Sequence, residues 1–158
     1  MLFLAPPSLV KKISTPNKTE EKKEFILKEK FEEEGINILD ETDTNTRSLF
    51  SIDKNRSRLI QYDSCRGLEG WTVVCLDFDD LIKYKMETYE EGDNPIELEL
   101  GLETYEEKRD RSVYLWSLIP LTRAIDTLVI TLKIPMSYIG KSLRRIYELN
   151  PDYIKWID

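Results

Sequence analysis

Apolar positions along this chain fall into short continuous runs and wider-spaced stripes, two patterns that mark strands and helices respectively. The opening "LFLA" is a continuous run, expected as a buried first strand over Leu2 to Leu4 that leaves its sheet at Pro6-Pro7. "TEEKKEFILKEKFEEEGI" has a threonine before an acidic turn, helix formers throughout, and Gly35 just past its end. With Phe25 and Phe31 as a narrow apolar stripe, it is expected as a helix whose charge run is a solvated face. "INIL" reads as a short strand, and the polar "TDTNTRSLFSIDKNRSR" as an exposed connection with a strand around Leu49 to Ile52.

"RLIQYD" and "TVVCLDF" are the clearest strands, and Val73, Val74 and Leu76 make the second one nearly continuous, as in a strand covered on both faces. "DLIKYKMETYEE" predicts a helix that "EEGDNP" ends. "IELELGLE" puts Ile96, Leu98 and Leu100 on one side and Glu97 and Glu99 on the other; strand, edge strand and frayed helix all fit it. "EEKRDRSVYLWSLI" predicts a helix stopped or kinked at Pro120, "TLVITL" a buried strand, and "SYIGKSLRRIYELNPDYIKWI" a closing helical region. Strands alternating with helices predict an α/β fold, a mostly parallel sheet with helices on both faces. Its functional loops are expected beyond the carboxyl ends of the strands.

The chain has 158 residues and no repeat or long Gly/Ser linker, which suits a single domain. A net charge of -7 repels phosphate backbones at long range and argues against a free-standing basic nucleic-acid binder. There is no histidine, which removes Ser-His-Asp, Cys-His and His-ligated metal chemistry. Cys65 and Cys75 lack redox or zinc spacing and no signal peptide precedes them, so reduced thiols in a cytoplasmic protein are expected. "MLFLAPPSLV" is too short and too interrupted by proline to span a membrane, so no membrane association is expected.

Asp77, Asp79 and Asp80 follow the strand "TVVCLDF" and admit two readings. Acids at a strand end can hold magnesium beside phosphate, since a hard cation takes oxygen ligands. The matching cradle Gly-x-x-x-x-Gly-Lys-Ser/Thr is absent from the sequence, which favours the other reading: Asp79 or Asp80 capping a helix from Leu81.

Two further stretches stand in order. Ser64-Cys65-Arg66-Gly67-Leu68-Glu69 runs into "TVVCLDFDD"; Leu121-Thr122-Arg123-Ala124 ends a helix and, past Asp126, runs into "LVITL". This ordered pair, over residues 57 to 133, resembles the second, carboxyl-terminal RecA-like domain of the UvrD/Rep-type superfamily 1 helicases. That family has a Lys-Gly-Leu-Glu loop before one strand and Leu-Thr-Arg-Ala before another; Arg66 stands here for the lysine, which keeps the charge and changes its geometry. Gly70-Trp71, Asp63 and Pro120 also depart from the family pattern, and "LFLAPPSLV" lacks the arginine expected near the first strand.

The resemblance implies one RecA-like lobe over residues 1–158, with 134–158 as its closing helical region. ATP and magnesium would lie between two lobes, held mainly by a first lobe that carries the phosphate-binding loop, in the same longer chain or in another. Arg123 would be the catalytic arginine finger, and Arg66, Gly67 and Glu69 would join it as nucleotide-binding residues. Ser64 and Arg66 would contact single-stranded nucleic acid, expected to be DNA. The implied activity is that of a helicase motor lobe, an ATP hydrolase only when assembled. The alternative is a helicase-derived, acidic α/β interaction module that hydrolyses nothing.

Overall fold

The computed structural model describes residues 1–14, 21–43, 56–90 and 103–157. In chain order these contain strands β1 (Leu2–Ala5), β2 (Val10–Ser14) and β3 (Glu21–Phe25), helix α1 (Lys28–Glu33), and strands β4 (Ile38–Asp40), β5 (Ser57–Gln61) and β6 (Gly70–Cys75). Helices α2 (Phe78–Glu87) and α3 (Tyr105–Leu121), strand β7 (Ala124–Ile130) and helix α4 (Tyr138–Leu149) follow. The expected strand at Leu49 to Ile52 and nearly all of "IELELGLE" lie outside the described residues.

Five strands form a parallel sheet of order β4-β5-β1-β6-β7, and β2 and β3 pair antiparallel in a separate hairpin. The α/β architecture expected from the alternation of strands and helices is present. β1 lies at the centre with all four residues buried, as its unbroken apolar run requires. On one face Leu2, Leu4, Ile60, Val73 and Cys75 meet Phe78, Leu81 and Ile82 of α2 and Val113 of α3, with Ile139 and Leu143 of α4 behind them. On the other, Phe3, Leu59 and Val74 meet Phe25 of β3, Phe31 of α1 and Ile36.

Several boundaries differ from the expected ones. Residues 21–25, expected as helix, are strand β3, and only the short α1 remains helical. The Lys/Glu-rich run is drawn into the hairpin because Phe25 is buried and the main-chain N–H groups of Phe25 and Lys23 donate to Asp40 and Asp43 carboxylates at 3.0 and 2.9 Å. Helix propensity of a few tenths of a kcal/mol per residue is weaker than such tertiary anchors. Gly35 does follow the helix and takes φ 74.

Helix α2 starts at Phe78 rather than Leu81, and neither Asp79 nor Asp80 caps it; the N-cap is Asp77, in the left-handed region at φ 44. α3 opens on a capping box, Thr104 and Glu107 bonding reciprocally, and runs through Pro120 to Leu121. A proline in the last turn is tolerated there because few helical residues follow to be disturbed. β7 is an edge strand, not a buried one: Ile125 is 56% exposed and Val129 40%. The helical part of the closing region stops at Leu149. No helix among the described residues is long and apolar enough to cross a membrane.

Candidate functional site

The chain leaves β5 at Gln61, turns through a single 3-10 turn at Tyr62–Ser64, and must reach the start of β6 at Gly70. Because Leu4 is level with both Ile60 and Cys75, the end of β5 lies at the carboxyl edge of the sheet and the start of β6 at the amino edge. Residues 64–69 therefore cross the sheet from one edge to the other, with Cys65 buried beneath them. Ser64 is half-buried at the carboxyl-edge end of this crossing. Gly67 takes φ 77, where a residue with a Cβ is strained, and a methyl group there would meet nothing within 4 Å. The turn conformation, rather than close approach of a neighbour, is what requires glycine.

Glu69 ends the crossing, exposed, directly before β6. Arg123 occupies the matching place before β7: the Gly70 N–H donates to the Arg123 carbonyl at 3.1 Å, and Gly70 is in register with Ala124. The two sequence motifs thus converge at one edge, and it is the amino edge. The expectation that the functional loops lie beyond the carboxyl ends fails for both. The reason is the placement of each motif before its strand rather than after it.

The Arg123 side chain is not free. Its Nε donates to the Ile119 carbonyl at 3.0 Å and its second guanidine nitrogen to Thr122 Oγ1 at 3.1 Å, so the guanidinium closes the end of α3. Its charge reaches Cys65: burial pushes that thiol up and the guanidinium opposes the shift. Cys75 is pushed up to about 12, by burial first. Both cysteines are free, buried and protonated at neutral pH, unsuited to act as nucleophiles.

Arg66 is exposed and turns away from Arg123, its guanidinium carbon 4.4 Å from the centre of the Trp116 ring. Lys85 of α2 approaches the same ring at 4.0 Å and pairs with Asp63 at 2.6 Å. Trp116 therefore ties the crossing to both α2 and α3. Reading by motif missed this residue. The available signal was its spacing, two helical turns before Arg123 and so on the same side of α3.

At the carboxyl edge, where β1 turns to one side of the sheet and β6 to the other, the three aspartates are engaged within the protein. Asp79 accepts the N–H groups of Lys133 and Ile134 at 2.9 and 2.8 Å. Asp80 accepts the Ser8 hydroxyl and the Lys133 ammonium at 2.9 and 3.1 Å. The Asp77 carboxyl is raised by partial burial and then by the charges of Asp80 and Asp79. Among the described residues no group of three or more acidic, cysteine or histidine side chains is placed to hold a metal ion. The magnesium reading has no support in this geometry; the acids close a loop.

Comparison of the chain with protein-family models, with curated proteins and with solved structures finds no match in any of the three.

Proposed function

We propose that this chain is the carboxyl-terminal motor lobe of an ATP-dependent nucleic-acid helicase or translocase, with single-stranded DNA as the track. The observation that carries the reading is the joining of Glu69-Gly70 to Arg123 at one sheet edge through the 3.1 Å backbone bond. Two motifs more than fifty residues apart in sequence then offer a carboxylate and a guanidinium to one ligand in a cleft shared with another lobe. That lobe would supply the phosphate-binding loop and most of the magnesium coordination. Arg123 would leave the end of α3 and reach the γ-phosphate, where a guanidinium stabilises charge on the transferring phosphoryl group. Arg66 and Ser64, on the crossing that leads to Glu69, would couple strand contact to that site.

The second reading, a non-catalytic interaction module, is favoured by one observation: the Arg123 guanidinium is already hydrogen-bonded to Ile119 and Thr122. One experiment separates the two. Steady-state ATPase is measured against single-strand concentration, for the chain alone and joined to a lobe with a Gly-x-x-x-x-Gly-Lys-Thr loop. The chain alone is expected to show no turnover, and the joined protein strand-stimulated turnover. Arg123→Ala should lower that turnover by about 10³-fold or more with nucleotide affinity far less changed, the pattern of a transition-state contact. Arg66→Ala should weaken strand stimulation instead. Circular dichroism establishes that each variant is folded. Full strand-stimulated turnover in folded Arg123→Ala would leave the arginine a helix-end residue and the module reading standing.

A further inference from the structure

Helix α3 is apolar on two sides. One side carries buried Val113, Ser117 and Pro120 against the sheet. The other carries Tyr114, Leu115 and Leu118, of which Leu115 is 60% and Leu118 52% exposed. A helix covering a sheet as its outermost layer needs only one apolar stripe, and apolar residues all round mark a helix that is covered on both sides. The exposed side is also concave. Tyr114, Leu115 and Leu118 line one part of a cavity of about 640 Å³, and Glu106, Glu107 and Asp110 line most of the rest, with Arg111 as the one base. Arg111 is engaged by Glu103 at 2.9 Å. The wall is held in place from α4, the hydroxyls of Tyr114 and Tyr138 lying 3.1 Å apart.

We propose that this outer face of α3 is a docking groove for a cationic amphipathic helix of a partner protein. Its leucines would enter between Leu115 and Leu118, and its lysines or arginines would meet the acids at the amino-terminal end of α3. Charge sign selects this occupant. A second copy of the chain would bring a net charge of -7 against -7. The chain's own acidic "IELELGLE" would set glutamates against glutamates. A cationic helix satisfies the apolar part and the acidic part together. The groove lies away from the amino-edge pairing of Glu69 and Arg123, and the inference does not depend on the motor reading.

The test uses the whole chain and a synthetic leucine/lysine peptide with leucines at i, i+3, i+4 and i+7, followed by fluorescence anisotropy and by amide chemical shifts. Binding with a Kd of about 10 μM or tighter is expected, with shifts concentrated between residues 104 and 118. The exposed double variant Leu115→Ser/Leu118→Ser should weaken it about tenfold, as loss of a groove anchor does. Glu106→Gln/Asp110→Asn should weaken it and flatten its dependence on salt. A leucine/glutamate peptide of the same pattern should not bind. The proposal is overturned by absence of binding, or by binding that Leu115→Ser/Leu118→Ser leaves unchanged, which is adsorption by charge alone. It is equally overturned if the chain sediments as a dimer that these substitutions dissociate.

Discussion

Asp77 occupies a conformation that costs a side-chain-bearing residue about 1 kcal/mol, with φ 44 and ψ 54. It is held there from the next strand segment: its N–H donates to Thr131 Oγ1 and the Phe78 N–H to the Thr131 carbonyl, both at 2.9 Å. Those partners lie far along the chain, which is why the acids read locally as a helix cap or a metal site and Asp77 itself could not be singled out. Partial burial, then Asp80 and Asp79, raise its carboxyl, with Lys133 opposing. An acid raised on folding favours its protonated form in the folded state. That contribution to stability is complete below the unfolded value and is lost as pH rises through the folded one. Asp77→Asn keeps a side chain that tolerates the left-handed region and removes the charge. The variant should exceed the parent in stability near pH 7 by about 0.5 kcal/mol, a small figure because the site is mostly exposed and screened. The gap should close by about pH 3, as urea midpoints at both values would show. A variant less stable than the parent near neutrality would mean that the carboxylate is stabilising, the opposite sign to the one its surroundings imply.

At the scale of elements, legibility followed the source of the stabilising contacts. β1, β5, β6 and α2 show in the sequence because their own apolar residues make the core, whichever partner covers them. β3 does not show, because what makes it a strand comes from elsewhere. Asp40 accepts the Phe25 N–H at 3.0 Å with one oxygen, and the Thr42 N–H and hydroxyl at 2.9 and 2.7 Å with the other. Thr42 is fully buried and Phe25 nearly so. Asp40→Ala should therefore cost about 1–3 kcal/mol, the loss expected when buried donors are left without an acceptor. Asp40→Asn, which keeps a carbonyl oxygen, should cost less. Urea unfolding measures both, and hydrogen exchange at Lys23 and Phe25 should quicken before global unfolding. A cost below about 0.5 kcal/mol for Asp40→Ala would place the hairpin's stability in its apolar contacts alone. The same logic explains the candidate site. Glu69 and Arg123 were readable as motif residues, whereas the Arg66–Trp116 stack depends on how α3 lies over the crossing, which no local pattern encodes.

Across the whole molecule, the two faces of the sheet are covered to different extents. The layer containing α2, α3 and α4 extends to the last strand, since Ala124 and Ile130 of β7 pack into that core. The layer containing the hairpin and α1 packs on β1, β4, β5 and β6, and among the described residues it does not reach β7. Val74 and Val129 show the consequence. They are paired in register on that same face, one strand apart, yet Val74 is 8% exposed and Val129 40%. "TLVITL" looked like a buried strand because apolar content reports composition, not position in a sheet, and an edge strand can carry the same residues. Introducing a charge at the two positions turns the difference into a measurement. Val74→Lys should abolish folding or cost more than about 3 kcal/mol, because the ammonium would be buried without a partner. Val129→Lys should cost under about 1 kcal/mol, the span of strand propensity, and should reduce self-association on heating by charging an open sheet edge. Urea unfolding and light scattering of the two variants supply the comparison. If Val129→Lys is as damaging as Val74→Lys, the far face of β7 is covered in solution and the two layers do not differ in reach.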